Sequence, residues 1–287
     1  MGGRRGRAVL VRWRCGVVPS ADSGPSGNDE IVVTFPQSEI LALIPARGGS
    51  KGIPRKNLIP LNGRPLVSYS IEQSLASRYI TRTIVSTDDG EIAAVARRCG
   101  ADVPFMRPSA CAQDLSLDID VFRHALEWLR DREGYRCDLV VHLRPTAPVR
   151  RVPLIDRAIE IMLRHPEADS LRSVSWPTQT PYKMWKMVGG YLDPLVPIAG
   201  VAEPHGLPRQ SLPDVYWQNG YVDIVRPHVI LELGLMAGHR VLPFIVNEPV
   251  PEIDYPDDLP QLEAALSALQ RGEWPGSDTA AIARPPR

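Results

Sequence analysis

A short apolar strand that runs directly into a loop rich in glycine and cations is the feature that most constrains this chain. Residues 40–44 form an apolar run typical of a buried strand, and the following segment holds three glycines, one serine and four cations. The cations are Arg47, Lys51, Arg55 and Lys56. Glycine lets backbone N–H groups turn toward a ligand, and the cations attract a polyanion. Because parallel sheets bind ligands at the carboxyl ends of their strands, this loop is predicted to hold phosphate.

Two familiar phosphate loops have a spacing that differs from this one. The segment lacks the Gly-x-x-x-x-Gly-Lys-Ser/Thr order of a P-loop and the Gly-x-Gly-x-x-Gly order of a dinucleotide-binding fold. The alternative to a phosphate loop is an exposed basic turn that only joins a strand to the next element. The concentration of glycine and cations directly after a strand favours the phosphate loop.

Strand and helix patterns alternate from residue 40 onward. We predict strands at 40–44, 81–86, 103–106 and 138–143, and helices at 65–77, 91–99, 120–131 and 153–164. This alternation predicts an α/β fold with a doubly wound, mostly parallel sheet that is covered on both faces. Asp88 and Asp89 follow the second of these strands, where one of them either caps the next helix or contacts a metal.

A proline-rich stretch interrupts the alternation. Strands are predicted at 170–175, 182–188 and 216–225, but seven prolines lie between them, so another strand-helix-strand unit is difficult to pack there. A strand at 241–246 and a helix at 258–269 complete a predicted domain that spans residues 38–272. Residues 1–37 are predicted to be a disordered extension and residues 273–287 a flexible tail, because their composition offers little to bury.

Two carboxylates near the end of this domain are spaced for a metal ion. Glu252 and Asp254 lie two residues apart, so in an extended segment their side chains point the same way. Carboxylates on one face repel each other unless a cation joins them, and Mg²⁺ usually takes one or two protein carboxylates together with water and phosphate oxygens. We therefore predict a Mg²⁺ site. In the alternative, Asp257 or Asp258 caps the last helix and the other carboxylates are solvated.

The loop also carries a resemblance to a known family. Residues 44–57, followed by Leu61-Asn62-Gly63-Arg64-Pro65-Leu66, resemble the first motif of the N-acylneuraminate cytidylyltransferases, which make CMP-sialic acid. The resemblance extends from about residue 40 to about residue 266. It implies a fold like that of the nucleotide-diphospho-sugar transferases, and transfer of CMP from CTP to a sialic-acid-like (nonulosonic) sugar with Mg²⁺ as cofactor.

The resemblance assigns roles to residues on the nucleotide side. It implies that Arg47 and Lys56 lie in the motif that holds the triphosphate. Because charge accumulates on the phosphate oxygens during the transfer, we predict that these two cations stabilise the transition state and are the catalytic residues. The residues that it places around CTP are Arg47, Ser50, Lys51, Lys56, Asn57, Arg107 and Ser116. In the alternative, Arg107 does not bind the nucleotide and is the partner of a surface ion pair. The metal residues that it implies are the same Glu252 and Asp254.

The acceptor side departs from the family pattern. Where the family has Gln-Pro-Thr-Ser-Pro, this chain has Arg144-Pro145-Thr146-Ala147-Pro148, and the tyrosine expected after Asn219-Gly220 is Asp223. Asp118 stands where a serine is more frequent. The implied sugar-binding residues are Arg144, Thr146, Lys183, Arg209, Gln210, Asn219 and Asp223. Arg144 and Asp223 either form a compensating ion pair, or Arg144 binds the phosphate of a sugar phosphate.

Composition and resemblance together set the expected partners. With 33 basic and 33 acidic side chains the net charge is zero, so we expect no nucleic-acid partner, and the absence of a long apolar run predicts no membrane span. The four scattered cysteines suit reduced thiols in the cytoplasm. The resemblance implies that an arm at about 175–215 crosses to a second subunit of a homodimer. Two other functions stay open: a nucleotidyltransferase that uses a sugar phosphate with CTP or another nucleotide, and a catalytically idle nucleotide-binding module.

Overall fold

The computed structural model describes residues 38–275, so the predictions for residues 1–37 and for most of the tail lie outside it. The strands of this range are β1 (Ile40–Pro45), β2 (Pro60–Leu61), β3 (Arg64–Pro65), β4 (Arg82–Ser86), β5 (Leu139–His142), β6 (Ser170–Ser175), β7 (Trp185–Val188), β8 (Tyr191–Pro194), β9 (Trp217–Val225) and β10 (Val241–Ile245). The α-helices are α1 (Leu66–Leu75), α2 (Gly90–Arg98), α3 (Asp118–Glu133), α4 (Val152–Arg164), α5 (Pro227–Leu231) and α6 (Leu259–Gln270).

Six of these strands form one central sheet in the order β10-β6-β9-β5-β1-β4. The pairs β1–β4, β1–β5 and β6–β10 are parallel, whereas β9 runs antiparallel to both of its neighbours. The predicted mostly parallel α/β fold is thus confirmed. The reversal of β9 follows from the connection, because the chain leaves the sheet at the end of β6 and re-enters it beside that same end.

Helices cover both faces of the sheet, and the residues of β1 alternate between the two cores. Ile40 and Ile44 belong to a cluster shared with α1, α2 and α4. Leu41 and Leu43 belong to the opposite cluster, with α3 and α5. A central strand that is buried on both faces explains why β1 is a continuous apolar run rather than an alternating one.

Some local predictions were wrong. The predicted strand at 103–106 is not formed; only Asp102 bridges to Ile84, and Pro104 lacks the N–H that would extend the pairing. The predicted strand at 182–188 contains β7, but the prediction missed its hairpin partner β8 and the short helix α5. Across the described part of the chain, no helix is long and apolar enough to cross a bilayer.

Candidate active site

A third apolar cluster packs two loops against each other. We call them the cation loop (residues 46–57, after β1) and the acidic loop (residues 246–255, after β10). Ile53 of the first loop and Ile253 of the second are both buried in this cluster, together with Leu66 and with Leu262 of α6. The loops approach so closely that a Cβ on Gly52 would lie 2.4 Å from the backbone oxygen of Asp254. Only glycine fits this contact, so the glycine that the sequence places in the loop serves close approach as well as flexibility.

Lys56 joins the two loops directly. Its Nζ donates to the Ile253 carbonyl at 2.8 Å and lies 3.1 Å from Asp254 Oδ1. The side chain is mostly buried, whereas that of Asp254 is exposed. Two residues separated by almost two hundred positions in the sequence, one a predicted catalytic cation and the other a predicted metal ligand, are therefore in contact.

The backbone of the cation loop is held by hydrogen bonds to one buried and one exposed side chain. Asn57 is buried and donates from Nδ2 to the Arg47 carbonyl at 2.9 Å. Asp88 accepts from the N–H of Gly48 at 2.9 Å. Asp89 caps α2, because its carboxylate accepts from the backbone N–H groups of residues 91 and 92. Capping by an aspartate, one of the two predicted alternatives, is thus confirmed for Asp89.

The first of two cavities, which we call the cation-lined cavity, opens beside this loop. It has a volume of about 310 Å³. Six of the seven predicted CTP-binding residues line it, together with two of the predicted sugar-binding residues: Arg47, Ser50, Lys56, Asn57, Arg107, Ser116, Arg144 and Thr146. The structure therefore gathers residues from three separate segments, 47–57, 107–116 and 144–146, around one space large enough for part of a nucleotide.

An aspartate that the sequence analysis did not single out neutralises the loop cations. Asp114 lies 2.6 Å from Lys51 Nζ and 3.4 Å from an Arg47 guanidinium nitrogen, and Arg47 also donates to the Gln113 carbonyl at 2.8 Å. Hydrogen bonding to Lys51 lowers the pKa of Asp114 below its usual value. All three side chains are partly exposed, so a bound anion can displace the carboxylate at small cost.

Arg107 and Ser116 are held within the wall of the same cavity. Arg107 is buried, which rules out its alternative as a surface ion-pair partner, and it donates to the hydroxyl and the carbonyl of Ser86. Burial lowers the pKa of this guanidinium. Ser116 Oγ accepts from the Gln113 N–H at 2.8 Å and donates to the Ala110 carbonyl at 3.2 Å, so it stabilises the loop that carries Asp114.

The two predicted metal residues, Glu252 and Asp254, are exposed and flank a buried residue of the acidic loop. Ile253 is fully buried between them, and its N–H donates to the Thr146 carbonyl at 2.9 Å. Burial raises the pKa of Glu252 above its usual value, and the charge of Asp254 raises it further. Two carboxylates that repel each other are suited to binding Mg²⁺ between them. The residues present therefore fit the predicted ion.

The three departures from the family pattern form one ion-pair network. Arg144 lies 3.2 Å from Asp223 Oδ2 and 3.3 Å from Asp118 Oδ2, and Arg172 lies 2.7 Å from the same oxygen of Asp223. The Asp223 side chain is only 3% exposed. Two arginines thus balance two aspartates, as the ion-pair alternative for Arg144 and Asp223 predicted.

Arg150 is a residue of the site that the sequence analysis missed. It is fully buried and donates to the carbonyl of Arg144 at 2.6 Å, to the carbonyl of Tyr221, and to Ser70 and Gln73 of α1 at 3.2 Å each. Burial lowers the pKa of its guanidinium to about 10. Arg150 therefore ties the loop that carries Arg144, and strand β9, to a helix. Only its position two residues after the Arg-Pro-Thr-Ala-Pro motif indicates this role in the sequence.

A second cavity, which we call the tryptophan-lined cavity, lies on the other side of Gly220. It has a volume of about 550 Å³, and its lining includes Trp176, Trp217, Asn219, Glu248 and Glu252. Gly220 has φ +63°, and a Cβ there would lie 2.6 Å from Glu252 Oε1 and 3.5 Å from Arg144 Cδ. Because Arg144 lines the first cavity and Glu252 the second, the walls of the two cavities come together at Gly220.

The remaining predicted sugar-binding residues are Asn219, which lines the tryptophan-lined cavity, and three residues of the proline-rich stretch. Asn219 is buried and bonded to Ser175 and to the Tyr221 N–H. Lys183, Arg209 and Gln210 are exposed on the proline-rich stretch and line neither cavity. Arg209 instead donates to the Thr178 carbonyl at 2.9 Å. Within a single chain, the structure does not bring these three side chains to the site.

The sequence is similar to one protein family and to several characterised relatives. The sequence profile of a family described as cytidylyltransferase matches residues 41–183. The chain is 30% identical over 213 residues to post-translational flagellin modification protein B of Campylobacter coli, an alignment that covers 74% of this chain and 87% of that protein. It is 40% identical over 125 residues to a pseudaminic acid cytidylyltransferase of Campylobacter jejuni, covering 44% of this chain and 53% of that protein. An N-acylneuraminate cytidylyltransferase of Escherichia coli is 36% identical over 125 residues, with coverage of 44% and 28%.

A solved structure shows the same architecture. The structure of CMP:2-keto-3-deoxy-manno-octonic acid synthetase complexed with CTP superposes with a TM-score of 0.59 at 17% identity, covering 81% of this chain and all of that one. This likeness supports the fold, and the sequence relatives supply the family. The chain therefore belongs to the cytidylyltransferase family of nucleotidyltransferase enzymes, which includes the pseudaminic acid and N-acylneuraminate cytidylyltransferases.

Proposed function

We propose that this enzyme joins CMP, taken from CTP, to a sialic-acid-like nonulosonic acid and releases pyrophosphate. An acceptor hydroxyl oxygen would form a bond to the α-phosphorus while the bond from that phosphorus to the pyrophosphate oxygen breaks, and the hydroxyl proton passes to solvent. The names of the relatives, which act on pseudaminic and N-acylneuraminic acids, support this substrate class.

One observation carries the proposal: the contact of Lys56 with Asp254 between the two loops. It puts the loop cations and the two acidic residues within reach of one polyphosphate. A nucleotide in the cation-lined cavity and an acceptor in the tryptophan-lined cavity would then meet at Gly220, beside Glu252. Holding both reactants in line at one point is the main requirement for nucleotidyl transfer.

The residues around that point have distinct tasks in this proposal. Arg47 and Lys56 exchange their carboxylate partners for phosphate oxygens and offset the charge that accumulates in the transition state. Glu252 and Asp254 would hold Mg²⁺, which when bound supplies positive charge to the phosphates and lowers the pKa of a hydroxyl at the metal. Arg107 and Ser116 would contact the base and ribose from the opposite wall.

The charge balance at Arg144 favours a nonulosonic acid over a sugar phosphate. Asp118 and Asp223 already neutralise Arg144, and Arg172 shares the second of these carboxylates. A phosphate group that took the place of Asp223 would have to displace a buried carboxylate, which costs far more than displacing the partly exposed Asp118. The changed residues therefore alter the shape of the acceptor pocket while leaving its net charge near zero.

We also propose that the enzyme is a homodimer built through the arm at about 175–215. The hairpin of β7 and β8 exposes apolar side chains, among them Met187 at 76% and Tyr191 at 81%. Burying such a surface against a second copy is favourable. Light scattering of the Met187→Glu/Tyr191→Glu variant should give the monomer mass where the wild type gives the dimer mass; a monomeric wild type would refute this part.

Cys99, Cys111 and Cys137 are free, which suits the cytoplasmic location that we propose.

A pyrophosphate-release assay tests the activity. CTP, GTP and UTP are each combined with N-acetylneuraminic acid, pseudaminic acid and a panel of sugar phosphates, with Mg²⁺ or with EDTA. We expect release only from CTP, only with a nonulosonic acid, and only with Mg²⁺. Release with a sugar phosphate instead would support the alternative acceptor. No release and no nucleotide binding would contradict the proposal and favour an idle module.

A further inference from the structure

The chain bends at Asp254 and Tyr255, and a single side chain holds this bend. Asp258, at the end of the short 3₁₀ helix Pro256–Asp258, accepts with Oδ2 from the backbone N–H groups of both residues, at 2.8 Å each. Its own N–H donates to the Tyr255 carbonyl at 3.1 Å. The backbone of one predicted metal residue is therefore fixed by a carboxylate to which the sequence gave only the alternative role of a helix cap.

Other contacts fix the same backbone on the opposite side of the Asp254 side chain. The Ile253 carbonyl accepts from Lys56 Nζ at 2.8 Å, and the Ile253 N–H donates to the Thr146 carbonyl at 2.9 Å. The Asp254 carbonyl lies against Gly52. The Asp254 side chain nevertheless remains 66% exposed. A carboxylate that projects into solvent from a fixed backbone loses less conformational freedom when it binds an ion than one on a mobile loop does.

Asp258 is separable from the groups that meet the substrates in the proposed function. It lines neither the cation-lined cavity nor the tryptophan-lined cavity. Its Oδ2 is already engaged by two donors, and both of these donors belong to the bend. The side chain is thus placed to act through Asp254. A partner of this kind, which orients a ligand residue without touching the metal, typically contributes 10–100-fold to metal affinity.

The same arrangement occurs at a distance from the site and supplies a control. Asp169, directly before β6, accepts with Oδ2 from the N–H groups of His239 and Arg240 at 2.7 and 2.9 Å. The site lies at the other end of β6, where Ser175 lines the tryptophan-lined cavity. Both aspartates hold two successive backbone N–H groups, so removing either carboxylate breaks the same kind of contact. Only Asp258 holds a predicted metal residue.

We propose that Asp258 is a positioning residue for the metal ion. By accepting from the two N–H groups, it keeps the Asp254 backbone in the conformation described here, so that the Asp254 carboxylate binds the ion without first having to be ordered. Asp258 itself does not contact the ion. This inference rests on the proposed function, since it concerns how the proposed Mg²⁺ site is held ready.

Binding of CTP with and without the ion tests the proposal. Calorimetry gives the Kd of CTP in Mg²⁺ and in EDTA for each variant, and the ratio of the two is the gain that the ion provides. We expect Asp258→Ala to reduce the wild-type gain at least about tenfold and to leave the Kd in EDTA unchanged. Asp258→Asn should keep most of the gain, because one amide oxygen can accept from both N–H groups. Asp169→Ala and Asp257→Ala, the latter at the exposed neighbouring position, should keep all of it.

Turnover supplies a second measurement. The Mg²⁺ concentration that gives half of the maximal rate should rise about tenfold in Asp258→Ala, whereas kcat at saturating Mg²⁺ should stay near the wild-type value. A loss of kcat that excess Mg²⁺ does not restore would contradict a positioning role.

The remaining outcomes also decide the question. A wild type without a gain, an unchanged gain in Asp258→Ala, or an equal loss in Asp169→Ala would overturn the proposal. So would an Asp258→Asn protein that loses as much as Asp258→Ala, since charge rather than hydrogen bonding would then matter. If Asp258→Ala fails to fold, Asp258→Glu, which displaces the carboxylate by one methylene, should show the loss instead. A wild type that releases no pyrophosphate refutes the proposed function, whereas an active wild type whose Asp258 variants keep the gain refutes only this inference.

Discussion

The two sides of the site treat their charges in opposite ways. On the cation-lined side, Lys51 and Asp114 form an ion pair whose side chains are 78% and 44% exposed. On the acceptor side, Asp223 is buried and two arginines share one of its oxygens. Exposed pairs are worth little and exchange partners readily, whereas breaking a buried pair leaves an uncompensated charge. The first side is therefore suited to exchanging partners with a ligand, and the second to holding its shape.

This difference predicts how the two sides should respond to mutation. A change on the cation-lined side should affect turnover much more than stability. A change in the buried network should affect stability at least as much as turnover. The division between the two sides would be wrong if a variant on the cation-lined side lost mainly stability, or if a variant in the buried network lost only turnover.

The largest effect is expected for Lys56→Ala. The side chain is the link between the loops and the candidate for stabilising charge on the phosphates, so kcat should fall by about 10²–10³-fold. The thermal midpoint should change little by comparison. Steady-state kinetics and thermal unfolding check both parts. Arg130→Ala, which removes an exposed ion pair with Asp131 far from the site, is the control and should alter neither. Unaltered turnover in a folded Lys56→Ala protein would exclude its catalytic role.

Asp223→Asn should produce the largest loss of stability. It leaves Arg172 and Arg144 without their shared counter-ion, which should lower the free energy of unfolding by about 3 kcal/mol, less than a fully buried pair would lose because Arg144 is partly exposed. Asp114→Asn removes a carboxylate that also contacts two cations, but in an exposed position. Its thermal midpoint should stay unchanged. Urea unfolding of both variants makes the comparison, and equal losses would contradict it.

The cation-lined side could be predicted from the sequence because its signals are local. Glycines and cations follow β1 within a dozen residues, and Glu252 and Asp254 lie two apart, so pattern and chemistry suffice. The contact between these segments could not be derived from spacing, since it depends on the packing of Ile53 and Ile253 in one cluster. The resemblance to a family supplied that link.

The acceptor side was harder to predict because its contacts are distant in sequence. Arg144 and Asp223 are 79 positions apart, and their pairing was foreseen only as one of two alternatives. Arg150 carries no pattern of its own. Its importance comes from burial and from partners that only the fold supplies. Sequence patterns identify residues that bind a ligand more readily than residues that form hydrogen bonds or ion pairs with one another.

Gly220→Ala probes the junction of the two sides. A methyl group there would lie 2.6 Å from Glu252 Oε1, in a backbone with φ +63°. Gly134→Ala is a matched control, because Gly134 has φ +64° and nothing within 4 Å of its Cβ position. Both substitutions carry the backbone penalty of about 1–2 kcal/mol. Only Gly220→Ala should displace the carboxylate and lower kcat about tenfold. Equal kinetics in the two variants would show that the contact at the junction does not matter.

The smallest effect concerns His142, a buried residue of β5 that the reaction does not use. Both of its ring nitrogens lack a hydrogen-bond partner in the described range, and its ring packs against Phe122 with centroids 4.7 Å apart. Burial, together with the charges of Arg144, Arg172 and Arg150, lowers the pKa of this histidine well below its usual value. The folded protein therefore keeps it neutral at pH values where the unfolded chain protonates it.

Linkage gives the sign of the resulting pH dependence. Below about pH 6.5 the unfolded chain binds a proton at this position that the folded protein does not, so the free energy of unfolding falls as the pH drops, by up to about 1.4 kcal/mol per pH unit. His142→Leu should remove that part of the slope and, because it relieves two unsatisfied nitrogens, raise stability at pH 7 by about 1 kcal/mol. His165→Leu, at an exposed histidine beside Glu167, should not reproduce this change. Urea unfolding between pH 5 and pH 8 measures the difference. A His142→Leu profile parallel to that of the wild type would mean that solvent or a partner group reaches the ring, and that this side of the site is less closed than its buried ion pairs indicate.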